Sequence, residues 1–282
     1  MDKIWLKNYP AGVPHDVDPE QYRSAAHLLE EAMRKHASSP FSVCMEHWMT
    51  YGELDRYSAA LGAWLQGQGL EPGARVAIML PNVPQFAVTM AAVLRAGYTC
   101  VNVNPLYTAR ELEHQLKDSG ATAIVILENF AHTLSEVIDH TGIRHVVMAS
   151  MGDLLGFWYG RWISFAVRHL AKMVPSYELP LTGGRKVTSF KKALALGARR
   201  SLQPSQANHD SIAFLQYTGG TTGLSKGAVL THRNIIAATL QAEAWFTPAL
   251  SKIGDLSKAN SIAALPLYHI FALTLCLLAI RQ

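Results

Sequence analysis

The residues best suited to chemistry form one run, Gln216 to Ala228, which reads QYTGGTTGLSKGA. Its four glycines allow the backbone to turn tightly and to approach a ligand closely. Thr218, Thr221 and Thr222 add hydroxyls, and the backbone N–H groups of Gly219, Gly220 and Gly223 complete a set that can form a concave nest for an anion. Lys226 supplies one point charge suited to phosphate. Two familiar nucleotide patterns do not fit: Lys226 lies between Ser225 and Gly227, which breaks GxxxxGK[ST], and GxGxxG cannot be laid on Gly219, Gly220 and Gly223. The residue types alone leave open a phosphate loop of another kind and a structural glycine turn. His269, within Leu265-Pro-Leu-Tyr-His-Ile-Phe271, reads on its own as a hydrogen-bonded core histidine.

These residues need a scaffold, and the first half of the chain alternates strand-like and helix-like stretches. Helical periodicity covers residues 25–37, and residues 41–45 are strand-like. Thr50 with Glu53, and Thr108 with Glu111, have capping-box spacing and predict helices to about residues 67–69 and 119. Pro84 suits the first turn of a helix over 83–95 that Gly97 ends. Strands are expected over 75–80, 99–103, 123–127 and 145–149, with a helix over 130–140. Strand and helix in alternation point to parallel βαβ units covered on both faces, with ligands at the carboxyl ends of the strands.

Residues 151–209 interrupt that pattern as a helix-and-loop insert. Leu155, Trp158, Tyr159, Trp162, Ala166, Leu170 and Met173 follow helical spacing, with Arg161, Arg168 and Lys172 largely opposite. Such a helix packs on its own domain or lies on a membrane surface. Strand character resumes over 210–216, and residues 234–246 read as a helix with Pro248 beyond it. Residues 262–280 lack Asp, Glu, Lys and Arg and approach membrane-spanning length, but Pro266, Tyr268 and His269 suit a buried strand, a turn and a buried helix better.

The composition, 49% hydrophobic and 16% charged over 282 residues, excludes a disordered chain. A net charge of +4 with no long basic block argues against a nucleic-acid partner. Three widely spaced cysteines, Cys44, Cys100 and Cys276, argue against a disulfide framework or zinc site and fit a reducing cytoplasm.

The run 216–228 resembles the signature of the adenylate-forming superfamily, which includes acyl-CoA synthetases, luciferases and peptide-synthetase adenylation domains; Ser225 replaces a family proline and Gly219 a frequent serine. Residues 228–234 continue the likeness, and 265–271 resemble the next family motif. Upstream, 50–54 (TYGEL) and 80–86 (LPNVPQF) also match; 94–97 (LRAG), 101–108 (VNVNPLYT) and 110–112 (REL) are similar to bacterial long-chain fatty-acid CoA ligases in particular. The resemblance implies an α/β fold, with parallel βαβ layers of a large amino-terminal AMP-binding domain. It implies a βαβ region over 1–150, then the insert, then the phosphate loop and the start of an acyl-binding region over 210–282.

It further implies a two-step reaction. A fatty carboxylate attacks the α-phosphate of ATP, releasing pyrophosphate, and the thiol of coenzyme A then displaces AMP. Thr218, Gly219, Gly220, Thr221, Thr222 and Gly223 would cradle phosphates, Lys226 would neutralise them, His269 would orient the acyl carboxylate, and Mg2+ would assist. The family's downstream glutamate for Mg2+, its ribose-binding aspartate and its small carboxy-terminal domain do not occur in these 282 residues. The expectation is therefore a truncated, amino-terminal portion with little or no thioester synthesis of its own, prone to homodimerise through uncovered core. The expected location is the cytoplasm, with the membrane-surface reading of the insert adding peripheral contact with the inner face of the cytoplasmic membrane. The alternatives are a non-catalytic nucleotide- or acyl-binding module and a ligase for another carboxylic acid.

Overall fold

A computed structural model describes residues 3–218, 225–252 and 260–281. Strands β1 (Pro40–Cys44) and β2 (His47–Thr50) form a small antiparallel hairpin. The main sheet contains β3 (Arg75–Met79), β4 (Thr99–Asn102), β5 (Ala123–Leu127), β6 (His145–Ala149), β7 (Lys186–Ser189), β8 (Ile212–Thr218) and β9 (Lys226–Thr231). Their spatial order is β7-β6-β5-β3-β4-β8-β9, parallel throughout except for the antiparallel β8–β9 pair.

Alternation along the central strands divides the core into two layers. Val76 and Ile78 of β3 and Ala123, Val125 and Leu127 of β5 face one apolar cluster. Ala77 and Met79, with Ile124 and Ile126, face the other. The first cluster is covered by α1 (Ala25–Lys35), α2 (Tyr51–Gln66), α3 (Pro84–Arg95), α7 (Phe190–Gly197) and α9 (Ile270–Arg281), the second by α4 (Ala109–Ser119) and α5 (Ala131–Val137). Continuous apolar strands are what a sheet buried on both faces requires. Both capping boxes form: Thr50 and Glu53 start α2, and Thr108 and Glu111 start α4. Every residue of α3 after Pro84 is buried, and two of its polar side chains reach partners outside the helix. Gln85 donates to the Ser150 carbonyl, and Arg95 pairs with Glu30 and Asp55.

Several expectations give way. The stretch 151–209 is more than helix and loop: β7 joins the sheet edge and α7 packs on α2. The helix α8 (His232–Leu250) begins earlier than residue 234 because Thr231 and Asn234 form a third capping box, and it continues through Pro248. The helix expected over 130–140 is α5 flanked by 3-10 turns. No strand forms over 260–266; that segment is irregular and exposed, with Ile262 at 91%, and leads through a turn into α9. Among the described residues no helix is long and apolar enough to cross a membrane.

The packed reading of the aromatic insert also fails. The helix α6 (Phe157–Phe165) continues into a π turn over Ala166–Leu170, and only Gly160 of α6 is buried. Gly152 and Gly160 meet backbone to backbone: a Cβ on Gly152 would lie 1.9 Å from the Gly160 carbonyl oxygen. That close approach leaves Phe157, Trp158, Tyr159, Trp162, Phe165 and Leu170 facing solvent. Arg168 anchors the far end by an ion pair with the buried Glu128.

Candidate active site

The carboxyl ends of the neighbouring strands β3, β4 and β8 supply the site. Thr218 ends β8 and Lys226 opens β9, and the two are register partners in the antiparallel ladder. The loop between them is therefore closed at its base, with both side chains exposed at its mouth. Gly219, Gly220, Thr221, Thr222 and Gly223, expected to cradle phosphates, lie outside the described residues.

The base of the loop is held from α4 and the segment before it. His114 Nε2 lies 2.9 Å from the Ser225 carbonyl oxygen, so that nitrogen carries the proton and donates. The Tyr107 hydroxyl contacts the Ser225 side chain; burial, then the nearby Glu111, pushes its pKa up. One residue before Thr218, the Tyr217 hydroxyl donates to Asp118 Oδ2 at 2.5 Å. Burial first, then the Asp118 carboxylate, holds the Tyr217 phenol far above its ordinary pKa, so it stays a donor. Gly227, its register partner, packs close to the Tyr217 ring: a Cβ there would meet the ring at 3.0 Å and press it to shift.

His269 sits on the turn immediately before α9, exposed, with its ring 5.6 Å from that of Tyr268. Its N–H donates to the Pro266 carbonyl at 2.9 Å, and its own carbonyl accepts from Leu273 N–H at 2.9 Å. It is thus not the buried core histidine that its apolar surroundings suggest.

Buried amides link this turn to the phosphate-loop strand. Gln216, two residues before Thr218, donates from Nε2 to the Tyr268 carbonyl at 2.8 Å. Its Oε1 accepts from Asn102 Nδ2 at 3.1 Å, and the Asn102 carbonyl accepts from Gln115 Nε2 at 2.8 Å. Asn82, beyond β3, clasps the same segment: Nδ2 donates to the carbonyls of Ala263 and Leu265 at 2.7 and 2.8 Å, and Oδ1 accepts from Leu267 N–H at 2.9 Å. The structure therefore couples Thr218 and His269 through one strand and one side chain. Asn82, Asn102, Gln115, Gln216, Tyr107 and His114 were not singled out from sequence. For Gln216 and Asn102 the available signal was an amide within a buried apolar strand, since buried polar groups are retained where they have partners; the other four lie outside the strands and carried no such signal.

Among the described residues no group of three His, Cys, Asp or Glu side chains could hold a metal ion. These residues do not by themselves supply a magnesium cage.

The chain belongs to the AMP-binding enzyme family, whose model matches residues 29–281. It is 47% identical over 283 aligned residues to a long-chain-fatty-acid–CoA ligase of Escherichia coli O157:H7, covering 100% of this chain and 49% of that protein. For the long-chain-fatty-acid–CoA ligases of Yersinia pestis and Bacillus subtilis, identity is 49% and 31%, over 100% and 96% of this chain. The chain spans about half the length of these relatives: 49% and 47% of the latter two. In fold it is similar to a long-chain-fatty-acid-CoA ligase from Archaeoglobus fulgidus, with a TM-score of 0.68, 22% identity, and coverage of 96% of this chain and 48% of that one. A red-emitting luciferase from Phrixothrix hirtus is likewise similar, with a TM-score of 0.67, 18% identity, and coverage of 92% and 45%.

Proposed function

We propose that these residues carry the amino-terminal share of an ATP-dependent long-chain fatty-acid CoA ligase. The observation that carries this reading is the 47% identity maintained along the whole chain to a relative of that name. In the proposed first step, the fatty carboxylate oxygen attacks the α-phosphorus of ATP, the bond to the β-phosphate oxygen breaks, and pyrophosphate leaves. In the second, coenzyme A thiolate displaces AMP from the acyl-adenylate. Residues 218–223 would receive the phosphates with hydroxyl and backbone donors, and Lys226 would offset the charge that grows as pyrophosphate departs. His269, just ahead of the positive end of α9, would donate to the fatty carboxylate. The amide links from Gln216 and Asn82 would keep that histidine in register with the loop. Magnesium would accompany the nucleotide and add Lewis-acid stabilisation.

The outward aromatic face of α6, flanked by Arg161 and Lys172, supports peripheral contact with an anionic membrane surface, where the water-insoluble substrate resides.

Thermal unfolding with magnesium-ATP and either oleate or benzoate tests the acid specificity, because a ligand that binds only the folded chain raises its Tm. Oleate is expected to raise the Tm and benzoate to leave it unchanged; a shift with benzoate alone would refute the long-chain reading.

A further inference from the structure

The sheet has a second concave feature at its opposite, amino end. An open cavity of about 430 Å3 is lined by Trp64 and Gln68 of α2 and beyond, Lys186 and Thr188 of β7, Lys192 and Leu196 of α7, and Arg199 and Arg200 after it. Each element contributes one face: positions 64 and 68 are one helical turn apart, as are 192 and 196, while 186 and 188 share a side of the strand. Lys186 begins β7 opposite His145, the first residue of β6, which puts the cavity at the strand ends away from Thr218 and Lys226.

Four cations line this cavity and no carboxylate does. Lys186, Lys192, Arg199 and Arg200 are exposed, and none forms an ion pair among the described residues, whereas the adjacent Lys191 pairs with Asp153. The Arg200 guanidinium lies over bare backbone at the end of α2, its Nη1 1.8 Å from where a Cβ on Gly67 would sit. The carboxyl ends of α2 and α7 favour Arg199 and Arg200 nearby. They do not account for Lys192, from the first turn of α7, or for Lys186 on the strand. Convergent like charges repel unless an anion lies among them. Buried Trp64 gives the cavity an apolar wall, and the Thr188 hydroxyl and Gln68 amide add uncharged hydrogen-bonding groups.

We propose that this cavity binds a multiply charged phosphate, at a site separate from the nucleotide loop. Arg199 and Arg200 provide forked donors, and Lys186 and Lys192 provide point charges, a combination that holds two phosphate groups better than one. The test is calorimetric titration with inorganic pyrophosphate in the Lys226→Ala background, which weakens phosphate binding at the loop at the other end of the sheet. One saturable site per chain is expected, weakened roughly tenfold or more by Arg199→Gln with Arg200→Gln, as removal of two charged donors implies. Both side chains are exposed, so the double variant should melt with its parent. Absence of a saturable site in the Lys226→Ala background, or equal affinity with and without the two arginines, would overturn the proposal. Displacement of pyrophosphate by phosphatidylglycerol vesicles would identify a lipid headgroup as the natural source. Displacement by fructose 1,6-bisphosphate and not by vesicles would identify a soluble phosphate ester.

Discussion

Replacing Gln216 by glutamate tests the link between the phosphate-loop strand and the His269 turn, because the two side chains differ chiefly in one proton-bearing group. Gln216 accepts from Asn102 Nδ2 at 3.1 Å and donates to the Tyr268 carbonyl at 2.8 Å, with only 5% of the residue exposed. An ionised glutamate keeps the acceptor role and loses the donor. The lost hydrogen bond costs about 1 kcal/mol, and the stranded Tyr268 carbonyl adds about 1–3 kcal/mol, giving roughly 2–4 kcal/mol in all. Protonation restores the donor, so the folded state holds this carboxyl above the roughly 4.3 of an unperturbed glutamate, by about two units at about 1.4 kcal/mol each. The folded state then binds more protons than the unfolded one in that window, and the variant loses stability as pH rises through it. Urea unfolding of the parent, Gln216→Glu and Gln216→Leu at about pH 5 and about pH 8 reads this directly. Relative to the parent, the glutamate variant should be worse at the higher pH, and the leucine variant equally impaired at both. A glutamate variant within about 0.5 kcal/mol of the parent at both values, or one that worsens as pH falls, would refute the coupling.

The other expectations are briefer. His232 is buried and accepts from Ala25 N–H at Nδ1, and burial, then His209, lowers its pKa to about 4. Its contribution is complete above the unfolded value near 6.5 and lost as pH falls towards 4, amounting to about 2 kcal/mol at pH 5; His232→Gln should flatten the acid limb of urea stability, and an unchanged slope would contradict this. Gly152→Ala should destabilise by about 2 kcal/mol or more, because its Cβ would meet the Gly160 carbonyl at 1.9 Å; an unchanged thermal midpoint would contradict that contact. Trp158→Ser with Trp162→Ser should leave the midpoint intact, since both rings face solvent, and should abolish flotation with anionic vesicles; undiminished flotation would remove α6 from the membrane reading.

Much of the layered fold is legible in the sequence because its strands are continuous apolar runs and its helices carry strong caps. Thr50 with Glu53 and Thr108 with Glu111 fix two helix starts by local hydrogen bonding alone. The failures occur where tertiary context decides. The strand β7 is mostly exposed and too polar to announce itself, yet it pairs with β6 through four residues. The strand β9 is legible only as a continuation of the glycine loop, and its pairing with β8 is what closes that loop at Thr218 and Lys226. The α6 segment has the periodicity of a packed helix, but the backbone contact between Gly152 and Gly160 turns its aromatic face outward. At the candidate site, Thr218, Lys226 and His269 could be named from residue type and family likeness. The amides that hold them could not, because Gln216 acts on Tyr268 across 52 residues of chain and Asn82 on Leu267 across 185.

The most direct test of the central claim is equilibrium binding of magnesium-ATP to this chain and to its Lys226→Ala variant, with folding of both checked by circular dichroism. The loop closed by Thr218 and Lys226 predicts saturable binding that weakens roughly tenfold or more without the lysine, as loss of a charged phosphate contact implies. Equal affinity of the two folded chains, or no saturable binding by either, would contradict a phosphate site built on this hairpin.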